Sequence, residues 1–120
     1  MSTYCNIRII RGENMILLFH QHNGYPEYIG KYLLDKYYKS IKNFNISFLG
    51  LVNELIKAVD GVNFEIATRI NFGCEYFYEI NLDIGTLKCF KTNIEIWEKI
   101  NEIKKVELKE IDLIERLKNK

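Results

Sequence analysis

The sequence predicts an α+β domain: one antiparallel sheet of about five strands with helices packed on one face, in the order ββααβββα. Three observations carry this. Residues 4–20 read as two apolar strands split by Gly12-Glu13-Asn14, an opening hairpin. Ile29, Leu33, Tyr37 and Ile41 recur every four residues, the stripe of an amphipathic helix. Asn71-Phe72-Gly73 and Asp83-Ile84-Gly85 punctuate a later run of alternating residues, as turns do between antiparallel strands.

The elements follow in order. In Tyr4 to Arg11, Ile7 and Ile9 alternate with Asn6 and Arg8. Met15 to His20 is nearly continuous in apolar residues and reads as a buried second strand. Asn23-Gly24 tolerates positive φ and makes a tight turn, and Pro26 then presets the first helical residue. The helix runs from Pro26 to Lys42. Ser47 caps a second helix, Phe48 to Val59, which Asp60-Gly61 ends. Strands are predicted over Asn63 to Ile70, Cys74 to Leu82 and Thr86 to Lys91. Thr92-Asn93-Ile94-Glu95 is a capping-box pattern that opens a C-terminal helical segment over about 92–119, with a break near Lys104 to Leu108.

At 120 residues the chain has room for one core, so 1–120 is read as a single domain. Hydrophobic content of 48% and charged content of 28% are ordinary for a globular protein. A net charge of +1 argues against broad nucleic-acid binding, which needs a basic surface, and against a phosphate mimic, which needs a dense acidic one. No apolar run is long enough to span a bilayer, and the first residues lack a signal-peptide pattern. The three cysteines, Cys5, Cys74 and Cys89, are widely spaced with no CxxC pair. They read as reduced, buried thiols of a cytoplasmic protein, with no metal site and no cofactor expected.

Signatures of catalysis are missing: no phosphate-binding glycine loop, no GxSxG and no HExxH occur. The expectation is a non-enzymatic binding protein. Arginine grips phosphate with a planar fork, and only four arginines occur against thirteen lysines. Two of them, Arg8 and Arg69, fall inside strands, where they either line a ligand pocket or pair with Glu65, Glu75 or Glu79 across the sheet. The ligand-binding candidates are Arg8, His22, Asn23, Tyr25 and Arg69, the middle three from the polar and aromatic turn after the second strand. That turn also reads simply as a well-made corner, since turn chemistry alone accounts for Asn23, Gly24 and Pro26.

A sheet with helices on one side leaves its other face open. Tyr76, Tyr78, Phe72 and Tyr4 are expected there, an aromatic patch suited to a partner. With Trp97 and Ile114 of the C-terminal segment, Tyr76 and Tyr78 are the candidate partner-binding residues. Eight tyrosines and the apolar C-terminal stripe exceed what one core needs, so a homodimer or higher homo-oligomer is expected.

The stretch from Ser2 through Ile10, and from Phe19 through Gly30, resembles a group of small phage and prophage proteins, with a weaker echo in Glu75-Tyr76-Phe77-Tyr78. Those begin Ser-Thr-Arg-Ser-Asn-Ile and carry a His-Trp-Asp-Gly-Tyr-Pro-Glu segment before a helix. Gly24-Tyr25-Pro26-Glu27 matches its core, while Gln21, His22 and Asn23 depart from the positions before it. The resemblance covers about a third of the chain and implies a phage-type accessory protein with no defined chemistry; anti-defence is the expected role. Some small phage proteins sequester nucleotide signals; no motif places this chain among them. Two functions therefore stand open. One is capture of a small nucleotide-like signal. The other is inhibition of a host defence protein, such as a CRISPR effector, by the aromatic face or the C-terminal helix.

Overall fold

The computed structural model describes residues 3–21, 23–57, 64–67, 74–92 and 108–118. Among these, six strands form one sheet: β1 (Cys5–Arg11), β2 (Asn14–His20), β3 (Glu65–Ala67), β4 (Tyr76–Asn81), β5 (Thr86–Thr92) and β6 (Leu108–Ile111). Three helices are described: α1 over residues 26–42, α2 (Phe48–Ile56) and α3 (Leu113–Lys118). The α+β class, the single sheet and the opening hairpin are as the sequence predicts.

The sheet order is β3-β2-β1-β4-β5-β6. The sheet is mixed rather than antiparallel, because β1 and β4 pair in parallel, Ile7 opposite Tyr78 and Arg8 opposite Glu79. Parallel neighbours need a long connection. The chain between β2 and β4 holds both α1 and α2, which is length enough for β4 to arrive on the far side of β1 in the same direction.

The helices cover one face. Cys5, Ile7 and Ile9 of β1, Leu18 of β2, Tyr76, Tyr78 and Ile80 of β4 and Cys89 of β5 are buried on that side. They form one core with Ile29, Leu33, Tyr37 and Ile41 of α1, Leu51 and Leu55 of α2, and Leu113 of α3. An α-helix advances about 400° in four residues, so a strict four-residue stripe drifts by about 40° per repeat. Helix α1 corrects the drift with wider π-type turns at Pro26–Gly30 and Leu34–Tyr38. All four stripe residues consequently reach the core.

Ser47 caps α2 as expected, its hydroxyl accepting from the Gly50 N–H at 3.0 Å. The C-terminal segment differs from expectation: Leu108–Ile111 is an edge strand on β5, not helix. Asp112 then caps α3, its Oδ1 accepting from the Glu115 N–H at 3.1 Å. The predicted helix from about 92 lies mostly outside the described residues, as do Val59, the predicted end of the second helix, and the ends of the strand predicted over Asn63 to Ile70. No helix among the described residues is long and apolar enough to cross a membrane.

Candidate functional site

Two places concentrate unusual chemistry: the corner between β2 and α1, and the sheet face away from the helices.

The corner begins at Asn23, whose φ of 53° lies in the left-handed region that Asn tolerates. Gly24 follows and is wedged against the start of β1. A Cβ there would lie 2.8 Å from the Cys5 Cβ and 2.9 Å from backbone atoms of Tyr4 and Cys5. The Gly24 N–H donates to the Thr3 carbonyl, and the Gly24 carbonyl accepts from the buried Tyr78 hydroxyl, both at 2.8 Å. Pro26 is buried at the head of α1. Glu27 accepts two hydrogen bonds from Arg116 of α3, at 2.6 and 3.1 Å. The Arg116 guanidinium in turn sits 5.9 Å from the Tyr76 ring centroid. Gly24, Pro26 and Glu27 are thus a clamp that ties β1, β4, α1 and α3 together. Asn23 and Tyr25 stay exposed, joined by a long hydrogen bond from the Tyr25 hydroxyl to Asn23 Oδ1 at 3.4 Å. His20 is buried, its ring tilted on Phe64 with centroids 5.0 Å apart.

The second sheet face carries Tyr4 and Arg8 of the first strand region, Phe19 of β2, Phe77 and Glu79 of β4, and Phe90 of β5. The register sets Asn6 opposite Phe19 and Phe77, and Phe77 opposite Phe90. Tyr4 meets Phe19 edge to face at 5.7 Å. Arg8 lies over the Phe77 ring, its guanidinium carbon 5.1 Å from the centroid, a cation–π arrangement. One terminal nitrogen of Arg8 donates to Glu79, forming an ion pair. Arg8 Nε is buried and has no hydrogen-bond partner among the described residues. The Arg8 side chain nevertheless keeps 35% of its surface exposed. Of the three cross-sheet carboxylates considered for Arg8, Glu79 is the one that meets it.

This face is aromatic, but its members differ from expectation. Tyr76 and Tyr78 lie on the helix side and are buried, so neither presents a surface to a partner. A one-residue change of phase moves a whole strand's side chains to the opposite face, and Phe77 takes the outward place. The face is also not open throughout: Phe77 is 2% exposed and Asn6 fully buried, while Tyr4 and Met15 are exposed. Phe19, Phe77 and Phe90 are residues of this face that the sequence reading did not single out. Their signal is present as the period-two partners of Arg8.

The structure does not bring the ligand candidates into one pocket. Arg8 sits on the second face with Glu79 and Phe77, and Asn23 and Tyr25 pair with each other at the corner. His22, Arg69, Trp97 and Phe72 lie outside the described residues. Ile114 projects from α3, 53% exposed.

Cys5, Cys74 and Cys89 are buried free thiols. Among the described residues no His, Cys, Asp and Glu group could hold a metal ion. Burial pushes the Cys74 and Cys89 thiols up to about 12, and raises Cys5 well above its ordinary value. Burial, with the Cys89 and Cys5 thiols nearby, also raises the Tyr78 hydroxyl. The consequence for pH is definite. Unfolded thiols ionise near pH 9, whereas the folded ones stay protonated. The unfolded state then binds fewer protons, so their contribution is complete below pH 9 and is lost as pH rises toward 12. Each thiol lowers stability by up to about 1.4 kcal/mol per pH unit in that window. Urea midpoints at pH 8 and pH 10.5 measure this. The midpoint should fall at the higher pH and fall less in Cys89→Ala; an equal fall in both proteins would contradict the assignment.

Comparison of the chain with protein-family models, with curated proteins and with solved structures finds no match.

Proposed function

We propose that this is a non-enzymatic, phage-type accessory protein of the host cytoplasm that captures a small nucleotide-like signal, an anti-defence sponge. The observation that supports the reading is Arg8. A guanidinium stacked on Phe77, its side chain 35% exposed, offers preorganised N–H donors for a phosphate or carbonyl oxygen. Glu79 beside it offers an acceptor for an amino or hydroxyl group. Tyr4 and Phe19 add aromatic surface on the same face, of the kind on which bases stack. A nucleotide carries all three features: acceptors, donors and a flat ring. The net charge of +1 suits capture of one small anion better than tracking of a polynucleotide.

A second reading, a protein inhibitor that covers a host defence protein, is favoured by the exposed apolar Ile114 on α3. One experiment separates the two. The protein is added to a signal-dependent defence effector, and the nucleotide signal is then raised past the protein concentration. A sponge is titrated out, so effector activity returns once signal exceeds binding sites. Inhibition that persists at large signal excess contradicts the sponge reading and supports direct contact with the effector.

A further inference from the structure

We propose that Lys88 binds the phosphate of a nucleoside phosphate on the second sheet face and so fixes its direction, phosphate toward β5 and base toward β2; this rests on the nucleotide reading of that face and deepens it. Leu87 and Cys89 turn into the core, so Lys88 between them stands on the opposite side of the sheet, with Phe90. The register sets Lys88 opposite Glu79, and Glu79 opposite Arg8. Three half-buried charged side chains therefore share one rung across β5, β4 and β1, in the order plus, minus, plus. Strand β6 stops at Ile111, opposite Cys89, so no described strand lies beyond Lys88 and that end of the rung is open to a ligand.

Charge assigns the roles along the rung. Arg8 and Glu79 neutralise each other as an ion pair. Lys88 makes no ion pair and no hydrogen bond among the described residues. A half-buried ammonium of this kind has lost hydration without gaining a counter-charge, and an arriving anion supplies one. A phosphate set on Arg8 instead would lie beside the Glu79 carboxylate, like charge against like. Arg8 is thus left for an uncharged acceptor such as a base carbonyl. Glu79 Oε1, which accepts nothing among the described residues, is left for a sugar hydroxyl. Tyr4 and Phe19 lie at the far end of the same series, three strand spacings from β5 or roughly 14 Å. An extended molecule with its anion at one end and a flat ring at the other matches that order.

Calorimetric titration of the full chain with adenosine, guanosine and their 5′-monophosphates tests the proposal. At least one monophosphate should bind about tenfold or more tightly than its own nucleoside. Lys88→Met should cut that advantage to about threefold or less while leaving the nucleoside affinity unchanged, and Lys88→Arg should keep it. Lys31→Met, which removes an ammonium paired with Asp35 on α1, should also keep it. Circular dichroism checks that each variant is folded, and Lys88→Gln replaces Lys88→Met under the same criteria if the latter is not. An advantage that survives the loss of Lys88, or a loss shared equally by nucleoside and monophosphate, overturns the role of Lys88 and leaves the nucleotide reading standing. Native protein that binds none of the probes at up to about 5 mM overturns both.

Discussion

Gly24→Val should cost about 3 kcal/mol or more, a large share of what a domain of this size possesses. The argument is steric and polar together. The first added carbon would sit 2.8–2.9 Å from Cys5 Cβ and from backbone atoms of Tyr4 and Cys5, and backbone cannot swing aside as a flexible side chain can. Relief requires moving the corner off β1. That movement breaks the Gly24 N–H bond to Thr3 and withdraws the acceptor of the buried Tyr78 hydroxyl. A buried hydroxyl left without its partner costs about 1–3 kcal/mol on its own. Gly12→Ala is the comparison: φ is +59° there, but no atom lies within 4 Å of the added carbon, so only the backbone penalty of about 1–2 kcal/mol applies. Urea unfolding followed by circular dichroism should place Gly24→Val well below Gly12→Ala. Equal midpoints would show that the corner is looser than described.

Much of the fold is legible in the sequence because each signal has one physical reading. The stripe of Ile29, Leu33, Tyr37 and Ile41 has nowhere to go but a core, and Ser47 ahead of Phe48 can serve only as a cap. The missed features share a different character. Tyr76, Phe77 and Tyr78 are aromatic on both faces, so alternation alone cannot choose which face is inward. Glu79 decides it, because its carboxylate must sit beside Arg8 and not in the core, which sends Phe77 outward and both tyrosines inward. Parallel pairing of β1 with β4 leaves no local trace, since it depends on where a long connection ends. Leu108–Ile111 is short, charged and flanked by helix-forming residues, and only its pairing with β5 makes it a strand. The Gly24-Tyr25-Pro26-Glu27 stretch is legible as a feature, and its work is mostly structural: Gly24, Pro26 and Glu27 lock the corner. Arg8 was legible as a charge inside a strand, and the aromatic rings around it were not, because their relevance comes from register.

If Arg8 holds the proposed nucleotide-like ligand, Arg8→Ala should abolish its capture. A charge-assisted hydrogen bond typically contributes about 1.5–3 kcal/mol, so its loss weakens binding roughly ten- to a hundred-fold. Alanine also leaves Glu79 without its partner, which adds repulsion toward any phosphate and enlarges the effect. Arg8→Lys guards against a trivial loss of fold: it keeps a positive charge near Glu79 but lacks the planar fork and its stack on Phe77, so binding should still fall. The most direct measurement is mass spectrometry of the small molecules released by heat from protein purified out of cells that make nucleotide signals. The native protein should release close to one equivalent of a nucleotide-like anion per site, and Arg8→Ala and Arg8→Lys should release about a tenth of that or less. Native protein that releases none, or variants that release as much as the native protein, would contradict the account.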